Sequence, residues 1–89
     1  MIISLDEIKK SLNGKGWNYS DKKIIKTFEF KTYLDGISFV NNVANLSEKH
    51  NHHPDINIGW CKVTVSISSH DLGGVTTQCV NLATGIDLI

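Results

Sequence analysis

The run Glu48-Lys49-His50-Asn51-His52-His53-Pro54 holds three of the chain's four histidines, and the fourth, His70, stands in Ser68-Ser69-His70-Asp71. Imidazole exchanges protons near neutral pH because both its charged and neutral forms are available there. Three such rings around one pocket could protonate a leaving hydroxyl and take a proton from a nitrogen. Taken singly, each histidine reads more simply as a surface or satisfied polar residue, so the case rests on convergence. His50-x-His52 with His70 also suggests a clamp for a divalent cation. Against that, the sequence has no helical His-x3-His and no cysteine pair, and the nearby carboxylates are limited to Glu48, Asp55 and Asp71. Acid–base work is the stronger reading, and no metal is expected.

The elements around these residues decide whether they can meet. Ile56, Ile58 and Trp60 alternate with polar residues, as do Val63, Val65 and Ile67, which predicts two strands turning near residues 59–62. With the turn centred near residue 61, His70 falls across from His52, within one residue of register. Directly opposed side chains in such a pair have Cβ atoms about 4.5–5.5 Å apart. In a regular strand the adjacent His52 and His53 would point to opposite faces. Both can line one pocket only if the backbone there is irregular, which the junction before Pro54 permits.

Upstream, Ser4-Leu5-Asp6-Glu7 forms a capping box for a short helix carrying Leu5, Ile8 and Leu12, ended by Gly14 and Gly16. Two antiparallel strands follow, about 15–21 and 23–30, joined at Ser20-Asp21-Lys22. Ile24, Lys26, Phe28 and Phe30 share one side of the second. Thr32 caps a helix running to about Lys49, with a stripe of Leu34, Ile37, Val40, Asn41 and Ala44 flanked by Tyr33, Phe39, Val43 and Leu46. After Asp71-Leu72-Gly73-Gly74, a last helix begins near Thr76 or Thr77 and carries Val80, Leu82, Ala83 and Ile86. The order α-β-β-α-β-β-α implies an α+β fold, a four-stranded antiparallel sheet with helices packed on one face. Trp17 and Trp60 are expected to pack. Cys79 reads as a small helical core or boundary residue with no base beside it.

The 89 residues suit a single domain. Nine Lys+Arg balance nine Asp+Glu, and the lysines are scattered, which argues against a nucleic-acid footprint. No apolar run reaches the roughly 18 residues of a membrane span. The first residues lack the features of a signal peptide. The two cysteines form no CxxC pair, so a reducing, cytoplasmic setting is expected.

Taken together, the chain resembles the pterin-4a-carbinolamine dehydratases, also called dimerization cofactors of a homeodomain transcription factor. The resemblance lies in Gly16-Trp17, Phe28-x-Phe30, Glu48-Lys49-x-x-His52-His53-Pro54, Trp60, Ser69-His70-Asp71, Gly74-Val75-Thr76, Asn81-Leu82-Ala83 and Ile86-Asp87. It implies dehydration of a 4a-hydroxytetrahydropterin to quinonoid dihydropterin, with no metal or organic cofactor. His52, His53 and His70 would be the catalytic histidines, and Asn51, Ser68, Ser69 and Asp71 would flank the pterin. The resemblance also implies a homodimer or homotetramer, and an alternative life as a non-catalytic interaction partner. One departure stands out: family members often carry an acidic residue where this chain has Cys79.

Overall fold

The computed structural model describes all of residues 1–89 and gives the expected order of elements. Helix α1 spans Leu5–Ser11, and the Ser4 side chain accepts from the Glu7 amide at 3.2 Å. Strands β1 (Asn18–Ser20) and β2 (Lys23–Glu29) form a hairpin. Both central turn residues, Asp21 and Lys22, have positive φ (51° and 64°), the backbone that matches the twist of a tight two-residue hairpin. Strand β1 is shorter than expected: Gly14 and Gly16, at φ 72° and 86°, keep the preceding chain in turns. Helix α2 spans Tyr33–His50, β3 Asp55–Ile58, β4 Lys62–Ile67 and α3 Thr77–Asp87.

The sheet is antiparallel throughout, in the order β1-β2-β4-β3, so β3 is an edge. Its inner face is apolar: Ile24, Val63, Val65 and Ile67 are fully buried and cluster with Ile8 of α1 and Leu12 just past it, Phe39 and Val43 of α2, and Cys79, Val80, Leu82, Ala83 and Ile86 of α3. The opposite face carries polar pairs such as Thr27 and Thr64, whose hydroxyls lie 2.9 Å apart. Burying this apolar surface is the main force holding the helices to the sheet.

Two expectations fail here. The buried stripe of α2 is Gly36, Phe39, Val43 and Ser47, while Leu34, Asn41 and Ala44 face outward. The helix is apolar on several sides, and two small residues occupy the inner line, so hydrophobicity alone misplaced it. The Ser47 hydroxyl is satisfied there by donating to the Val43 carbonyl at 2.7 Å. Trp60 does not pack: it lies beyond the end of the edge strand, 81% exposed, and Ile58 is also largely open. Trp17, in contrast, packs against the core, edge-on to Phe28 with ring centroids 6.1 Å apart.

At the C-terminal end of α3 the charges converge. Asp87 accepts from Lys26 Nζ at 2.7 Å and from Trp17 Nε1 at 2.9 Å. Lys26 sits on the inward-facing side of β2, and this carboxylate is what allows an ammonium there. The lysine also lies over the Phe28 ring, 4.8 Å from its centroid.

Candidate active site

Local backbone chemistry at three element ends builds the site. Helix α2 stops at Asn51, whose left-handed backbone (φ 49°, ψ 41°) reverses the chain in the manner of a helix C-terminus. The Asn51 and His52 amides then donate to the carbonyls of Glu48 and Ser47, at 3.2 and 3.1 Å. This fixes the start of the irregular stretch His52-His53-Pro54, which joins no strand until Asp55. The irregularity removes the constraint that adjacent side chains point to opposite faces.

The second segment leaves β4. The β3–β4 ladder pairs Asp55 with Ser66 and Ile56 with Val65, one residue from the expected register. Beyond it the chain turns sharply. The Ser69 amide donates to the Gly74 carbonyl (2.7 Å), the Gly73 amide to the Ser69 carbonyl (2.8 Å), and the Leu72 amide to Ser69 Oγ (3.3 Å). Gly73 takes φ 71°, which a residue without Cβ adopts freely. The third element is the start of α3, where Thr76 caps the helix by accepting from the Cys79 amide at 3.4 Å.

These segments enclose a cavity of about 460 Å³ lined by His50, Asn51, His52, His53, Ser69, His70, Asp71 and Gln78. The volume falls within the roughly 300–1,000 Å³ usual for small-molecule clefts, though the lining, with no apolar residue, is more polar than most. It unites His52, His53 and His70 with Asn51, Ser69 and Asp71. Ser68 lies outside it. His50, which the sequence suggests only as part of a cation clamp, and Gln78 also line it, although neither is expected beside a pterin. His50 belongs to the same histidine-rich run; nothing in the sequence marks Gln78, which arrives with α3. A larger cavity of about 540 Å³ lies between α1 and β1, lined by residues such as Ile8, Leu12 and Trp17, and contains no imidazole or carboxylate.

The rings have contrasting surroundings. His53 is exposed, and its Nε2 hydrogen-bonds the Glu48 carboxylate. A carboxylate only accepts, so that nitrogen carries the hydrogen. His52 is half-buried, and its Nε2 lies 3.2 Å from the Cys79 thiol. That corrects the expectation that Cys79 has no base beside it: the contact joins two elements distant in sequence. Burial, and then the neighbouring imidazoles His53, His70 and His50, hold the His52 pKa below its ordinary value of 6.5. The neutral form of His52 is therefore favoured.

Known proteins share this arrangement of elements. A relative from Roseiflexus sp. (strain RS-1) that bears a pterin-4-alpha-carbinolamine dehydratase name is 49% identical over 74 residues, 83% of this chain and 80% of the relative. The crystal structure of a transcriptional coactivator/pterin dehydratase from Brucella melitensis superimposes with a TM-score of 0.91 at 25% identity, covering 99% of this chain and 97% of that one. A pterin dehydratase-like protein identified as a RuBisCO assembly factor in the alpha-carboxysome matches with a TM-score of 0.67 at 25% identity, over 81% and 83% of the two chains. The family profile described as pterin 4 alpha carbinolamine dehydratase matches residues 2–89, and the chain belongs to that family.

Proposed function

We propose that the protein dehydrates a 4a-hydroxytetrahydropterin to quinonoid dihydropterin and water, as part of tetrahydrobiopterin recycling or related pterin metabolism. The supporting observation is the single cavity onto which His52, His53 and His70 all open. In the reaction the ring nitrogen beside the carbinol carbon pushes its electron pair toward that carbon. The C–O bond breaks, an acid protonates the departing oxygen, and a base takes the proton from nitrogen. His52 and His70 share the acid and base roles, and His53, tied to Glu48, positions the ring. Asn51, Ser69 and Asp71 contact the pterin from the cavity wall. No metal or organic cofactor takes part.

A second reading, a non-catalytic interaction or dimerization partner, is favoured by the structural relative described as an assembly factor. A homodimer or homotetramer fits either reading, since Leu34, Ile58 and Trp60 are left exposed on the single chain.

Turnover of a 4a-hydroxytetrahydropterin by the purified protein separates the two. The expected result is catalysis that falls by about 10²–10⁴-fold in His52→Ala and in His70→Ala with the fold intact. A wild-type rate no faster than the uncatalysed reaction would remove the enzymatic reading. Normal turnover by His70→Ala would remove that residue from the mechanism.

A further inference from the structure

The end of α3 nearest the cavity holds a short chain of hydrogen bonds that catalysis has not yet used. Cys79 is fully buried, and its sulfur touches two polar atoms: His52 Nε2 at 3.2 Å and Thr76 Oγ1 at 3.4 Å. Thr76 is buried too, and its oxygen already accepts from the Cys79 amide.

Only one direction of donation satisfies every hydrogen in this chain. If His52 Nε2–H donated to sulfur, the thiol hydrogen would either point to Thr76, leaving the buried threonine hydroxyl without an acceptor, or point to no acceptor at all. A buried donor without a partner is costly. In the other direction Thr76 O–H donates to sulfur, and S–H donates to His52 Nε2. A thiol is a weak donor and a weak acceptor, so it can occupy the middle of such a chain.

We infer that Cys79 is a positioning residue that fixes the tautomer of His52: its S–H occupies Nε2, and the ring hydrogen resides on Nδ1. Nδ1 is then the nitrogen left to serve the cavity, and it serves as a donor. Applied to the dehydration reaction, and resting there on that reading, His52 donates a hydrogen bond to the departing oxygen, and the proton that His70 takes from nitrogen is passed to that oxygen to complete the water. Protonating His52 would leave either the thiol hydrogen or the Thr76 hydroxyl without a partner, so the relay also favours the neutral ring.

The other titratable groups around this ring are His50 and Glu48 of α2, His53 beside it, and His70 and Asp71 across the cavity. None of them reaches Nε2, which makes Cys79 the lever for the tautomer. An acidic residue in its place would do the reverse. A carboxylate only accepts, so Nε2 would become the donor and the imidazolium would be favoured.

Long-range ¹H–¹⁵N correlation spectra of the labelled protein, recorded without substrate, read this directly. In wild type at neutral pH, His52 should show Nε2 unprotonated and Nδ1 protonated. Cys79→Ser should keep that pattern because it keeps a donor. Cys79→Ala should lose it, and Cys79→Asp should reverse it and raise the His52 titration midpoint by about one unit or more. A protonated Nε2 in wild type would overturn the inference, even if every variant failed to fold. An unchanged tautomer in a folded Cys79→Ala protein would do the same. Because no substrate is present, the result is independent of turnover: an inactive protein with the expected tautomer leaves the relay standing, and an active one with the opposite tautomer removes it alone.

Discussion

At its C-terminal end α3 offers Asp87 to Lys26 and Trp17; at its N-terminal end Thr76 meets Cys79, and Cys79 meets His52. The first cluster pairs full charges at 2.7 Å and fills both carboxylate oxygens. The second is made of neutral groups, a hydroxyl, a thiol and an imidazole, with further imidazoles nearby. An ion pair closed on itself locks two elements together and has no proton to spare. A neutral imidazole beside a cavity holds a proton that can move. One helix thus anchors the fold at one end and touches a cavity histidine at the other, and the two ends should separate under mutation.

The sharpest separation comes from removing one residue at each end. His52→Ala should lose most turnover, by the 10²–10⁴-fold typical of a lost proton-transfer group, while its thermal unfolding stays close to wild type. Asp87→Ala should behave oppositely. It leaves the largely buried Lys26 ammonium without its counter-charge and the Trp17 N–H without an acceptor, at a cost of about 1–3 kcal/mol. Denaturant titration reads that loss, and turnover per folded molecule should be unchanged. Equal effects of both variants on turnover would mean that the ends are coupled through the helix and that the division is wrong.

Acid provides a milder test. The folded chain holds His52 below its ordinary pKa of 6.5, whereas the unfolded chain releases it to that value. As pH falls through the window below about 6.5, the unfolded state therefore binds more protons, and stability falls with it. The contribution is present above that window and lost on going down through the folded-state pKa. Urea midpoints measured from about pH 8 to about pH 5 should show this slope, reduced in His52→Asn. A slope that survives the substitution intact would assign it to other groups.

The anchoring end was more legible in the sequence than the cavity end. Alternation marked Ile24, Lys26 and Phe28 as one face of β2, and Val80, Leu82, Ala83 and Ile86 marked the inner side of α3, because burial writes a period into the residues that experience it. The histidine cluster was also visible, since three of its members lie within one short run. What stayed hidden were contacts that no period records. The approach of Cys79 to His52 depends on where the start of α3 lands against the end of α2, and Gln78 reaches the cavity by the same docking. On α2 the period itself misled. Tyr33 and Leu34 sit outside and Gly36 and Ser47 inside, so chemical type and burial disagree at several positions.

The smallest expected effect is at Trp60, and it tests the edge of the sheet. Hydrophobicity placed this residue inside, yet it is 81% exposed beyond the end of β3. A side chain that loses little water contact on folding contributes little to the stability of the single chain, so Trp60→Ser should shift the unfolding free energy by no more than about 0.5 kcal/mol. Turnover should hold as well, because Trp60 lines neither the histidine cavity nor the anchoring cluster. If stability instead falls and does so with a dependence on protein concentration, the indole is buried between copies of the chain, since association contributes to apparent stability by mass action. The exposed edge would then be a third kind of region, one whose chemistry is complete only in the assembly.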